Sequence, residues 1–267
     1  MELVKKLREI TGAGIMDCKK ALEASAGNID KALSVLRDKG IAQATKREGR
    51  EAKEGLVGLK VQGQAGALAE LNCETDFVAR TDDFKNMLET LKEKTLSLGD
   101  SVVNDESVIN AIRELSGKLG EKVQLRRAAR LDAQSGVLGT YLHSNNKIGI
   151  LVSLNGPRNE VTEQCARDIA MQIAAARSQF ISSKDIPAEL VEREKQFFLD
   201  DVKNKPANIQ EKIAQGKLDK WFAEICLLDQ VFIKNEDQRV SQYLSEISGK
   251  AGSPVTVQRF IRFEVGR

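Results

Sequence analysis

Between Leu3 and Lys39 the apolar residues recur three and four positions apart, the spacing that lines one face of an α-helix. Leu3, Leu7 and Ile10 form a first stripe, "TGAG" (Thr11 to Gly14) reads as a turn, and Cys18, Ala21 and Leu22 form a second stripe. Gly27 closes that helix. Asn28 can N-cap a third, whose inner face is Ile29, Ala32, Leu33 and Leu36 and which Gly40 is expected to end. The pattern predicts a three-helix domain over residues 1–40, near the lower size limit for independent folding. Residues 41–54, with the charged stretch "ATKREGREAKEG", read as a linker or an exposed helix.

From Gly55 the period switches from helical to alternating. "GLVGLKVQ" and "GALAELNCE" read as two strands joined at "GQAG". Thr81 can cap a helix carrying Phe84, Met87, Leu88 and Leu91, and a second helix is predicted from Ser107 to Leu119. Strands follow at Val123 to Leu131, Val137 to His143 and Ile148 to Leu154, then a long helix from Val161 to Ala176. A hairpin followed by helices thus occurs twice, which predicts an α+β fold with a two-part antiparallel core divided as residues 55–136 and 137–267. Inserted in the second part, at about 187–229, is a helical hairpin in which Pro206 starts the returning helix. Leu190, Val191, Phe197 and Phe198 are expected to face Ile209, Ile213, Trp221, Phe222 and Ile225 across it. The closing "VTVQRFIRFEVG" alternates like a strand returning to the second sheet.

Composition supports a folded chain rather than a disordered one: 41% of the 267 residues are hydrophobic and 30% charged. Lys and Arg total 41 against 39 Asp and Glu, a net charge of +2 that demands no polyanionic partner. In the basic patch "RRAAR", strand alternation places Arg126 and Arg130 on one face and Arg127 on the other, without the aromatics on which single-strand binders stack bases. No apolar run approaches the roughly 20 residues needed to span a bilayer, and "MELVKKLREI" lacks a signal peptide's core, so a cytoplasmic location is expected. Neither a membrane nor direct nucleic-acid binding is called for. The four cysteines contain no Cys-x-x-Cys pair and the chain has one histidine, His143, so neither a zinc site nor a disulfide framework is suggested.

Nucleotide-binding loops are absent from the sequence, and the one nucleophilic pairing on offer is Cys73 with His143. The stretch "NCETDFVAR" stands out because Asp76 and Phe77 sit where a strand pattern gives way to a helix pattern. Taken alone, its simpler reading is that Asp76 caps a turn and Phe77 fills the local core. Lys19 and Lys20 are likewise most simply the wet face of the second helix.

Three motifs read together change the picture. "TGAGIMDCKKAL", "NCETDFVAR" and "IRFEVG" occur in the order found in bacterial translation elongation factor Ts, and "KLGEKVQLRRAA" and "VLGTYLH" extend the match over nearly the whole chain. The sequence resembles that family. The resemblance implies a guanine nucleotide exchange factor, not an enzyme and without a cofactor or metal of its own. Its partner would be elongation factor Tu carrying GDP, whose nucleotide it releases by disturbing the magnesium and phosphate site. It also implies that the first three helices form a ubiquitin-associated-like domain docking on the partner's GTPase domain through Ile15, Met16 and Lys19. Thr75, Asp76, Phe77 and Val78 would meet the same domain, with Phe77 entering a pocket between helices. His143 and Arg47 match further contact positions, and Phe232 and Ile233 in "QVFIKN" fall where the core meets the partner's third domain. The helical hairpin resembles the family's coiled-coil arm, through which a homodimer or higher assembly could form.

Two departures accompany the match: Ile15 stands where methionine is frequent, and Lys234 where an apolar contact is common. The chain stops at Arg267, where many relatives continue into a further helical module, so that module's contribution is expected to be missing. A non-enzymatic adaptor, using the ubiquitin-associated-like domain while the core only scaffolds, is the alternative reading. Replacing Phe77 by Ala separates the two, since loss of exchange with the fold intact supports the first.

Overall fold

The structure, a computed structural model, describes the backbone of residues 1–267 and all side chains except those of Ile41, Gln43 and Ala207. It begins with three helices, α1 (Glu2–Thr11), α2 (Ile15–Ala24) and α3 (Ile29–Arg47). Leu7, Cys18, Ala21, Leu22 and Ala32 form their small core, with Val4, Ile29, Leu33 and Leu36 against it. Leu3 and Ile10 remain exposed, because the inward stripe of α1 runs through Val4 and Leu7 instead. The Asn28 carboxamide accepts from Lys31 N at 3.0 Å, the cap expected of it.

Gly40 does not end α3, which continues to Arg47. The glycine serves a close helix crossing: a Cβ added at Gly117, in α6 (Glu106–Leu119), would lie 2.7 Å from the Gly40 Cα. Arg37 grips Glu114 with two hydrogen bonds, 2.5 and 2.8 Å, one turn before that crossing. The stretch read as a linker is therefore helical for its first half and bonded to the core for the rest.

The core proceeds through β1 (Glu54–Gln62), β2 (Ala65–Cys73), α4 (Asp76–Ala79), α5 (Asp82–Leu98), α6 (Glu106–Leu119) and β3 (Gln124–Asp132). It continues through β4 (Gly136–Leu142), β5 (Ile148–Asn155), α7 (Glu160–Ala176), α8 (Ala188–Asp201), α9 (Ala207–Ile225), β6 (Val231–Phe232), β7 (Asn235–Arg239), α10 (Val240–Ala251) and β8 (Thr256–Glu264). The sheets are antiparallel, ordered β1-β2-β3 and β4-β5-β8. An α+β fold is observed. In each half a hairpin is followed by helices and a third strand returning beside the second.

Burial along the middle strands explains the layering. Ala69, Leu71 and Cys73 of β2 pack under α5 and α6, while Leu68, pointing the other way, joins Leu151, Ile261 and Phe263 of the second sheet. Ile150, Val152 and Leu154 of β5 face α7 and α10. The order is helices, sheet, sheet, helices, with both middle strands buried on two faces as their continuous apolar runs require. The sheets approach closely at Gly149, where a Cβ would stand 2.6 Å from Val57 and 2.8 Å from Leu68.

Glu70, fully buried, lies between the layers. The alternation expected for "RRAAR" fails here, because the register slips between Glu70 and Leu71 and leaves Arg126 as an extra residue. Both Arg126 (3.3 Å) and Arg127 (2.6 Å) then reach the Glu70 carboxylate. Arg127 also stacks over Phe263 at 4.5 Å and donates to Glu264 O at 3.1 Å, tying the first sheet to the last strand of the second.

The helical hairpin α8–α9 buries Val202, Ala214 and Leu218, and Ile186, Ile225, Cys226 and Trp221 pack at its base. Phe197 does not face the returning helix but is 64% exposed, since neighbours on a helix point about 100° apart and Phe198 takes the inner position. Among the described residues no helix is long and apolar enough to cross a membrane.

The glycine crossing yields the first prediction. Gly117→Ala forces α3 away from α6, an overpacking cost of about 1 to 3 kcal/mol. Limited proteolysis should cut the 48–53 segment several-fold faster than in the parent, while far-ultraviolet circular dichroism stays unchanged.

Candidate functional site

Phe77 is 77% exposed, and the core reading of its ring is overturned. The cause is local. α4 is a single turn whose Val78 and Ala79 face the core beside Phe84; Asp76 and Phe77, the residues before them, must turn outward. Val78 therefore works as a core residue here, with 9% of its surface exposed.

A turn this short cannot hold itself. The cap comes from Thr75 rather than Asp76: Thr75 Oγ1 accepts from Val78 N at 3.4 Å. Thr75 is itself clasped by Glu121, whose carboxylate accepts from Glu74 N (3.1 Å), Thr75 N (2.9 Å) and Thr75 Oγ1 (2.6 Å). The clasp is reciprocal, since the Glu74 carboxylate accepts from Lys122 N at 2.7 Å and from Arg50 at 3.2 Å. That backbone N–H, helped by Arg50, holds the Glu74 carboxyl below its ordinary range despite partial burial. Lys122 Nζ continues the brace by donating to Glu48 O at 2.7 Å and Arg50 O at 2.8 Å.

Asp76 pairs with Arg80 at 2.6 Å, the arginine largely in solvent and the aspartate half-exposed. Such a pair is worth roughly 0 to 1 kcal/mol, so the carboxylate can be diverted to another donor at little cost. Arg47 is half-buried and donates to Ser116 O, 3.4 Å away, at the carboxyl end of α6, a favourable place for a cation.

His143 lies in the loop between β4 and β5, its Nδ1 2.7 Å from the Tyr141 hydroxyl. Val57 N donates to Asn146 O (2.7 Å) and Lys147 pairs with Glu54 (2.5 Å), which fastens this loop to the start of β1. Glu54 lies opposite Cys73 in the β1–β2 register. The His143 loop and the Asp76–Phe77 turn thus share one end of the core. Cys73 is no partner for His143. Its thiol is buried, donates to Thr75 O at 3.0 Å, and is pushed up to about 12 by burial and the Glu121 carboxylate.

On the amino-terminal unit, Ile15 and Met16 open α2 and are 52% and 62% exposed. Lys19, one turn on, stands in solvent with Glu23 at 3.8 Å. At the far side of the core, Ile233 is 42% and Val231 54% exposed, whereas Phe232 is sealed at 3%. The Phe232 ring stacks on Tyr243, 4.2 Å between centroids, so any surface contact here belongs to its two neighbours.

Sequence reasoning missed Glu121, although it quoted the motif that contains it. The one available signal is its place directly after the helix-ending "LG" and beside Lys122, since its partners lie 46 and 47 positions away.

Comparison with known proteins bears on the whole chain. A family model described as Elongation factor TS matches residues 74–267. Elongation factor Ts of Prosthecochloris aestuarii is 40% identical over 280 residues, covering 98% of this chain and 97% of the relative. Elongation factor Ts of Aquifex aeolicus is 40% identical over 287 residues, covering 100% and 97%. The protein of that name from Clostridium kluyveri is 39% identical, covering 99% and 92%.

The clasp generates two predictions. Glu121→Ala strands two main-chain N–H groups and a hydroxyl, and should cost about 1 to 3 kcal/mol in urea unfolding, with amide exchange at residues 74 and 75 faster than in the parent. For Glu74, a depressed folded-state value means its stabilisation is whole at neutral pH and lost as the pH falls below its ordinary 4.5. The stability gap between the parent and Glu74→Gln should accordingly narrow from pH 6 to pH 3, on the order of the titration range expected for a carboxylate.

Proposed function

The chain belongs to the elongation factor Ts family, and on that premise we propose that it uses Phe77 as a wedge to release GDP from elongation factor Tu. It is a guanine nucleotide exchange factor of translation elongation. The observation that carries the wedge is an aromatic ring 77% exposed on a turn that the Glu74–Glu121 clasp immobilises. A core that served only as a scaffold has no need of such a ring.

An exchange factor forms and breaks no covalent bond. It binds the empty partner more strongly than the loaded one, and linkage makes the effect mutual: whatever ratio the factor takes from GDP affinity, GDP takes from the factor's. Phosphate and magnesium sites depend on close placement of backbone donors and ligands, so a small shift of the helices supporting them lowers affinity. Burying the Phe77 side chain contributes about 1.5 to 3 kcal/mol, enough for a ten- to hundredfold change in rate if all of it is expressed on the way to release. Asp76, freed from Arg80, and His143, at the same end of the core, add polar contacts to the GTPase domain.

In this reading residues 1–40 act as a ubiquitin-associated-like domain, followed by a connecting segment at 41–54 and core parts at 55–136 and 137–267. Ile15, Met16 and Lys19 dock on the GTPase domain, and Arg47 and Thr75 support the docking elements from within the chain. The tip at Val231 and Ile233 meets the third domain, and the hairpin at 187–229 serves as a coiled-coil arm and a route to self-association. The protein works in the cytoplasm without a cofactor.

Phe77→Ala tests the wedge. Release of labelled GDP from elongation factor Tu, followed by stopped flow, should slow by about ten- to hundredfold at saturating factor. The melting transition should stay within the roughly 0.5 kcal/mol typical of a surface change. A loss of several kcal/mol in stability would return the ring to a structural role.

A further inference from the structure

Val231 and Ile233 form the apolar tip of the β6–β7 hairpin, which is too short to hold its own shape: β6 has two residues and its register slips between them. The missing restraint comes from α7. Gln172, fully buried, spends both ends of its carboxamide on the tip, Oε1 accepting from Ile233 N at 2.8 Å and Nε2 donating to Val231 O at 3.1 Å. A side chain here takes the place of a neighbouring strand, satisfying the N–H and C=O on either side of Phe232.

One helical turn earlier on the same face, Asp168 provides a second anchor. It is 5% exposed and accepts from Lys234 Nζ at 2.6 Å and from the Tyr243 hydroxyl at 2.9 Å. Burial, with Cys165 and Asp168 close by, pushes the Tyr243 phenol far above its ordinary range, so it stays a donor. Its ring is also the one on which Phe232 stacks. Lys234, which the family resemblance marks as out of place in an apolar contact, is thus occupied inward.

We infer that Gln172 and the Asp168–Lys234 pair are positioning residues that hold Val231 and Ile233 outward, and so set how tightly elongation factor Tu is docked rather than how fast its nucleotide leaves. The inference rests on the reading that this tip docks on the partner. It acts through alternation. With Phe232 locked in, its two neighbours must face out; with the anchors removed, the tip is free to roll and the outward pair is lost.

The test is a titration of labelled-GDP release from elongation factor Tu against factor concentration, using full-length variants whose thermal melts are completed above the assay temperature. Gln172→Leu should raise the half-saturating concentration about tenfold, the scale of unpaired buried groups, and Lys234→Ser about threefold. In both, the saturated release rate should remain within about twofold of the parent, as expected when only docking is affected. Ile233→Ala should raise the half-saturating concentration by itself, and combining it with Gln172→Leu should add less than the product of the two effects. If Ile233→Ala matters while folded Gln172→Leu and Lys234→Ser titrate like the parent, the positioning role is refuted and the docking reading survives. If Ile233→Ala has no effect, the docking reading itself fails. A lower saturated rate at unchanged half-saturation would make both anchors merely structural. Should Gln172→Leu not fold, Lys234→Ser decides alone, the lysine side chain being 44% exposed.

Discussion

Glu74 and Glu121 each accept main-chain N–H groups from the other's loop, and the position of the Phe77 ring follows from that exchange. An aromatic ring on a free surface turn would fold back onto the nearest apolar patch, lowering its exposure at no structural cost. Here the donors are main-chain N–H groups of the turn itself, so the two carboxylates fix its backbone rather than one of its side chains. Bonds to charged acceptors are also stronger than ordinary ones, roughly 1.5 to 3 kcal/mol. The ring is consequently presented by a braced support, which is the property the proposed wedge requires.

Beneath the turn the support is continuous. Cys73, last residue of β2, donates to Thr75 O, so the clasped loop grows directly from the strand buried on both faces. That strand carries Glu70 between the sheets, and Arg127 links it onward to Phe263 and Glu264 in β8. Removing both arginines would leave a buried carboxylate without a charge partner, a costly arrangement. The contacts of Arg127 to Phe263 and Glu264 in turn oppose sliding of the two sheets against one another. Since the His143 loop is fastened to β1 and the β6–β7 tip to α7, all three core surfaces ride on one body.

What the sequence disclosed was the part governed by periodicity. The alternating and helical stretches located the two sheets, the helices between them and the returning strand β8, because each presents a continuous face to a core. The errors came where one residue decides. Gly40 reads as a helix stop but fills a helix crossing whose other half, Gly117, is 77 positions away. Phe77 taken alone reads as core, and only the family resemblance turns it outward; a shift of one position gives the inner place to Val78. The bulge at Arg126 is invisible until β3 is paired with β2. Helix α10 and the β6–β7 hairpin passed unread, the hairpin because its anchoring is supplied by Gln172 and Asp168 on a distant helix.

The continuation of α3 to Arg47 alters how the amino-terminal unit can work. Were residues 41–54 a flexible tether, Ile15 and Met16 would search for their contact independently of Phe77, and the linker would raise only their effective concentration. Instead the helix is pinned to α6 by the glycine crossing and by Arg37 on Glu114, and the segment after it is held by Lys122. The main-chain N–H of that same Lys122 donates to Glu74, so the amino-terminal unit and the Phe77 turn share a residue. On the proposed reading, both surfaces are ordered before a partner arrives, and less of the contact energy is consumed in arranging them. For an exchange factor this matters doubly. In the proposed mechanism, energy not spent on ordering is available to oppose the nucleotide, and a body braced in this way passes its misfit to the phosphate site of the partner.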